Sequence, residues 1–168
     1  MGILPVYKDS FFCSPNRKDG LGLNIFYEKG AVYTDMFVDN RFEGYEDVVH
    51  GGIIFGILDV IMWWVTFMET KKICMTRKTE MDFFKPIMCN TLYKARGEVL
   101  RIENKDIYAS AWVEDKSGEC CAKATGLFRE GKDISIPAFI DSFDFSNISP
   151  EIKEHFLSLL EEEIAHGM

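Results

Sequence analysis

His50-Gly51-Gly52-Ile53-Ile54-Phe55-Gly56-Ile57-Leu58-Asp59, continued by Val60 to Phe67, is the stretch on which the reading of this chain turns. It predicts a loop ending in two glycines and then one long apolar helix. Asp59 is the only ionisable residue from Gly51 to Met68. A charge alone in such a run is costly to bury without a partner, so it needs a reason to be there. Two glycines let a backbone approach a ligand closely. A helix start behind them offers unpaired N–H groups and the positive end of the helix dipole. The pieces of an oxyanion site and a carboxylate therefore lie on one helix. The plainer readings are a tight turn at the glycines, a histidine bonding a loop carbonyl at His50, and a structural carboxylate at Asp59.

The flanking sequence predicts what the helix packs against. Leu21 to Tyr27 and Ala31 to Val38 read as strands joined by a turn at Glu28-Lys29-Gly30, followed by a polar loop from Asp39 to Val49. Beyond Lys71-Lys72 the apolar period becomes two. Cys74 to Lys85 (with Met81 and Phe83 on one face, ended by Pro86), Thr91 to Ile102, Ile107 to Glu114 and Glu119 to Arg129 read as strands. Asp115-Lys116-Ser117-Gly118 is a hairpin turn. Short connections imply antiparallel pairing. The expectation is an α+β fold, with a sheet of about five or six strands beside one helix.

Three segments follow: an irregular leader over 1–20, a central domain over 21–130, and an extension over 131–168. The extension begins as a loop through residue 148. Ser149 as N-cap and Pro150 at the first helical position then start a helix over about 150–165. Ile152, Phe156, Leu159, Leu160 and Ile164 form its apolar stripe, with Glu161 to Glu163, His155 and His166 expected toward solvent.

Composition narrows the function. The 168 residues are 47% hydrophobic, enough for one domain with a real core. A net charge of −8 with no long basic cluster argues against nucleic acid. The start Met1-Gly-Ile-Leu-Pro has no basic n-region, and Gly2 lacks the hydroxyl residue a myristoylation motif needs. The long helix is interrupted by Asp59 and followed by amphipathic strands, so it reads as a core helix and not a membrane span. Five cysteines without C-x-x-C and three histidines point to reduced thiols in the cytoplasm and no metal site.

Glu43-Gly-Tyr-Glu-Asp-Val-Val-His50-Gly51-Gly52, with Asp59 nine positions after His50, resembles the signature of hotdog-fold acyl-CoA thioesterases. The type is PaaI-like, of the 4-hydroxybenzoyl-CoA thioesterase superfamily. Cys13 to Leu23, Met81-Asp-Phe-Phe-Lys-Pro86 and Ala122-Lys-Ala-Thr-Gly-Leu-Phe-Arg129 resemble further family segments, so the likeness spans roughly Cys13 to Arg129. The chain departs from the pattern at Ser10, Ser14, Met88-Cys89-Asn90 and the bulky pair Trp63-Trp64. The resemblance implies a sheet wrapped around the helix. It also implies hydrolysis of an acyl-CoA to free acid and CoA, with no cofactor beyond the CoA of the substrate.

In that chemistry the Gly51 or Gly52 amide stabilises the oxyanion while His50 fixes the turn. Asp59 attacks the carbonyl or activates a water. By resemblance a hydroxyl on the following strand orients the water, and counting back from Pro86 places Thr76 there. Trp63, one turn after Asp59, is expected to shape the acyl pocket. Lys85, Arg96 and Arg129 are candidates for the CoA phosphates. Seven residues of helix separate Gly52 from Asp59, about 10 Å at 1.5 Å per residue. That is too far for both to act on one carbonyl, which predicts a site shared across a homodimer or dimer of dimers. Two other functions compete. A hotdog hydratase or dehydratase is disfavoured by His-Gly-Gly, and a non-catalytic acyl-CoA-binding protein would keep the fold without the chemistry.

Overall fold

The computed structural model describes residues 2–132 and 134–166, with side-chain surroundings described through residue 158. In chain order the elements are β1 (Gly2–Ile3), β2 (Val6–Tyr7), β3 (Phe26–Glu28), β4 (Ala31–Phe37), a 3-10 turn (Asn40–Phe42), β5 (Glu43–Tyr45), β6 (Val48–Val49), α1 (Gly51–Thr70), β7 (Cys74–Phe83), β8 (Leu92–Glu103), β9 (Asp106–Glu114), β10 (Cys120–Glu130), α2 (Ile136–Asp141), β11 (Phe143–Asp144) and α3 (Pro150–His166).

Helix α1 forms because twenty residues free of proline follow an N-cap, here the ring of His50 accepting from the Gly52 N–H. It ends at Lys71, in the left-handed conformation at φ 56°, whose N–H returns to the Phe67 carbonyl. By length and composition it could cross a membrane. In the fold its side chains Ile57, Leu58, Ile61, Met62, Val65 and Phe67 are fully buried. Each such burial stabilises by about 1.5–3 kcal/mol relative to exposure.

One antiparallel sheet in the order β1-β3-β4-β8-β9-β10-β7 receives the helix. Alternation puts Ala95 of β8, Ala109, Ala111 and Val113 of β9, and Ala122, Ala124 and Phe128 of β10 on the helix side. Small residues dominate that face, so the helix can lie close. A Cβ on Gly97 would meet the Ile61 side chain at 2.6 Å. Strand β7 is the edge and is exposed along most of its length.

Several expectations need correction. Among the described residues the main sheet has seven strands. Leu21 to Ile25 is not strand, because the Leu21 and Leu23 amides bond the Phe11 and Phe12 carbonyls and not the sheet. Gly22 there has φ +61°. The leader is not wholly irregular: β1 pairs with β3, and β2 pairs with β11. The loop from Asp39 to Val49 contains the 3-10 turn and the β5–β6 pair. The loop through residue 148 contains α2, capped by Ser135 with Pro137 in its first turn, and β11. Phe83 lies exposed while Met81 is half-buried.

Helix α3 begins as expected, with the Ile152 amide on Ser149 Oγ at 3.4 Å. Ile152 and Phe156 are buried. His155 does not face solvent: it is half-buried, with its ring 6.1 Å from that of Phe67. The side chains expected at Leu159, Leu160, Glu161 to Glu163, Ile164 and His166 lie outside the described residues. Leader, sheet, α1 and extension share one hydrophobic core, which includes Leu4, Cys13, Phe143 and Phe156.

Candidate active site

Asp59 sits halfway along α1 and is half-buried. Its Oδ1 accepts a hydrogen bond from Thr76 Oγ1 at 3.0 Å. Thr76 is on the edge strand β7, opposite Phe128 of β10. A second tie fixes strand against helix, with Trp63 Nε1 donating to the Cys74 carbonyl at 2.9 Å. Burial pushes the Asp59 carboxyl above its ordinary value, and the Thr76 bond opposes that rise by favouring the carboxylate.

Asp59, Trp63 and Trp64 line a mostly apolar cavity of about 290 Å3 with Tyr7, Phe139 and Phe143. Trp63 stacks on Phe67, with ring centroids 5.6 Å apart, and stands 6.0 Å from Phe139. Trp64 is 5.5 Å from Phe143. The tryptophan pair thus serves as a seat for the extension. Sequence reading did not find Phe139, Phe143 or Tyr7. The signal was there in the aromatic density of residues 139–145 opposite two unusual tryptophans.

At the other end of the segment, His50 Nδ1 accepts from the Gly52 N–H at 2.9 Å. A ring nitrogen that accepts is unprotonated, so the imidazole acts here as a cap. The Gly52 amide is therefore engaged, whereas among the described residues the Gly51 N–H donates to none. Gly51 lies beside a second groove, of about 450 Å3, with Tyr45, Phe83, Phe84 and Lys85. Phe83 and Phe84 are more than half exposed.

The three cations expected near the CoA phosphates do not converge. Lys85 pairs with Glu119 and lies 3.8 Å from Asp115. Arg96 pairs with Glu114 at 3.2 Å, and Arg129 with Asp106 at 2.6 Å. Of the three, only Lys85 shares a groove with Gly51, and none lines the cavity at Asp59. The leader serines have local tasks. Ser10 Oγ accepts from the Phe12 and Cys13 amides, and Ser14 Oγ donates to the Lys8 carbonyl.

Residues 46–122, from the loop before His50 to the start of β10, match the profile of the thioesterase superfamily. That stretch, just under half of the chain, is similar to the thioesterase superfamily. An uncharacterised protein of Schizosaccharomyces pombe is 28% identical over 98 residues, covering 55% of this chain and 56% of the relative. The chain thus spans little more than half the length of that curated relative.

Among solved structures, a thioesterase superfamily protein aligns with TM-score 0.67 at 18% identity, over 71% of this chain and 62% of its own. A Streptococcus mutans protein bound to acetyl CoA aligns with TM-score 0.60 at 20% identity, over 65% and 88%. The PaaI protein of Escherichia coli aligns with TM-score 0.61 at 16% identity, over 66% and 80%. At such identities the likeness shows the fold, which is the hotdog arrangement of a sheet around a central helix. The superfamily match ends before α2, so Phe139 and Phe143 lie outside it, as do Tyr7 and Ser10.

Proposed function

We propose that this protein belongs to the thioesterase superfamily and hydrolyses an acyl-CoA thioester to the free acid and CoA. The observation that carries the reading is the Asp59 carboxylate, bonded to Thr76 and set in the wall of an apolar cavity. The superfamily match makes a thioester the reference chemistry, and one relative of the same fold was solved with acetyl CoA.

In the proposed reaction the thioester carbonyl lies against the Gly51 N–H at the positive end of α1. That donor stabilises the oxyanion as the tetrahedral centre forms. Asp59 acts in one of two ways. It attacks the carbonyl, expelling the CoA thiolate and leaving a mixed anhydride that water opens. Otherwise it takes a proton from a water that attacks, and the proton passes to the departing sulfur. Thr76 orients the carboxylate, and His50 holds the turn by occupying the Gly52 amide.

Eight residues of helix separate Gly51 from Asp59, about 12 Å at 1.5 Å per residue. One carbonyl cannot meet both on one protomer. The reading therefore pairs Asp59 of one subunit with Gly51 of another in a homodimer or dimer of dimers. Support comes from the exposed phenylalanines beside Gly51 and the unpaired edge of β7.

The test is release of free CoA from short, medium, long and aromatic acyl-CoAs, comparing native protein with Asp59→Asn. At least one substrate is expected to turn over, with the variant slower by about two orders of magnitude or more. Equal rates would remove Asp59 from the chemistry. Binding without turnover by either protein would make this an acyl-CoA-binding module. A fully active monomer would overturn the shared site.

A further inference from the structure

We infer that the cavity beside Asp59 is the acyl pocket, built within one protomer by the leader and the C-terminal extension, and that it selects an apolar acyl group of about ten heavy atoms or fewer. This rests on the thioesterase reading and adds a substrate class and the residues that set it.

The wall has two origins. Asp59, Trp63 and Trp64 come from α1, while Tyr7, Phe139 and Phe143 come from β2, α2 and β11. The second group is fastened in place. Tyr7 pairs with Phe143 across the β2–β11 ladder. The Lys8 amide bonds the Ser142 carbonyl at 3.0 Å, and Lys8 Nζ bonds the Asp141 carbonyl at 2.6 Å. Phe139 and Phe143 pack edge to face at 5.0 Å. Phe143 in turn packs on Phe156 of α3 at 5.7 Å.

The lining selects the acyl end of the substrate and not the phosphates. No lysine or arginine belongs to it. Ser10 lines it too, with its oxygen already accepting from two amides. The Cys13 thiol at the wall is held protonated, because burial pushes it up to about 11. Asp59 is then the polar landmark in an aromatic box, and a thioester carbonyl placed at it sends its alkyl or aryl group inward. At roughly 30 Å3 per water-sized group, 290 Å3 admits about ten heavy atoms. A medium chain or a single aromatic ring fills it, whereas a sixteen-carbon chain extends beyond its walls. Flat rings also gain from edge and face contacts with the aromatic walls.

Phe139 is the residue to change, because it is half-buried and borders both the cavity and Trp63. The experiment measures kcat/KM over saturated acyl-CoAs from C2 to C16 for native protein, Phe139→Ala and Tyr7→Ala. Tyr7 is half exposed, so its variant carries the test if Phe139→Ala fails to fold. A parallel titration follows tryptophan fluorescence with S-octyl-CoA and S-hexadecyl-CoA, thioethers that cannot be hydrolysed.

The expected native profile peaks at or below C10. Either variant shifts the C16-to-C8 ratio upward about tenfold, and S-octyl-CoA quenches native fluorescence more strongly than S-hexadecyl-CoA. Hydrolysis with an unchanged profile in both variants would overturn the pocket and leave the thioesterase standing. Absence of hydrolysis, with octyl-selective quenching lost in the variants, would keep the pocket and overturn the thioesterase. Neither hydrolysis nor quenching would overturn both.

Discussion

The two halves of helix α1 are almost equally apolar in sequence, yet they are covered differently. The half after Asp59 lies under the aromatics of the extension, and Trp64 there is 4% exposed. The half before it keeps Phe55 at 41% exposed and borders the open groove of Tyr45, Phe83 and Phe84. Asp59 marks the boundary. An apolar helix therefore does not say by itself what will cover it. One half is closed by the chain's own extension, and the other is left bordering an open apolar groove.

The comparison can be broken most forcefully on the covered side. Phe156, 1% exposed, packs on Trp64, Phe67, Phe143 and Phe145. Phe156→Ala should cost about 3–5 kcal/mol, read by denaturant unfolding. A loss under about 1 kcal/mol would mean that the extension is not part of the core. Gly56 tests the boundary next. A Cβ there would meet Phe12 at 2.2 Å, so Gly56→Ala should push the leader off the helix and destabilise by about 1–3 kcal/mol. An unchanged melting temperature would show that the leader yields freely.

Asp59 itself gives a sign that differs between activity and stability. Its carboxyl is held above the usual value by burial. If the carboxylate is the working form, activity falls with acid around a pKa higher than that of an ordinary aspartate. Thr76→Val removes the bond favouring the charged form, so the acid limb should move to still higher pH in kcat/KM profiles. For folding, a raised native pKa costs stability above that pKa, and the cost vanishes below the unfolded-state value. Asp59→Asn should thus leave the neutral-pH melting temperature unchanged or higher. A clear drop would make Asp59 a structural residue. The smallest effect is expected at the surface. Arg129→Gln and Lys85→Gln remove exposed ion pairs and should leave the melting temperature within error.

What could be read from sequence followed the length of the pattern. Helix α1 and strands β7 to β10 carry long apolar periods, and their bounds lie within about three residues of expectation. Asp59 stood out because nothing else nearby ionises. Thr76 needed a count back from Pro86, and its hydroxyl does meet Asp59. Leu21, Leu23 and Ile25 alternate like a strand, but they serve a coil whose amides bond the leader. Helix α2 is six residues long, too short for a period to declare itself. The cavity was illegible because Tyr7, Trp63 and Phe139 meet only through tertiary packing.

The pairing of Tyr7 with Phe143 has a consequence in time. During synthesis α1 and the strands of the main sheet through β10 emerge before residue 143. The main sheet can begin to collapse around its helix while Tyr7 waits for a partner far later in the sequence. Closing so long a loop adds little free-energy cost beyond that of a shorter one but delays the event. The nascent protein therefore carries its carboxylate before it has a chamber to put it in. The segment from α2 to α3 thus acts late in assembly, converting a bare helix flank into a walled pocket.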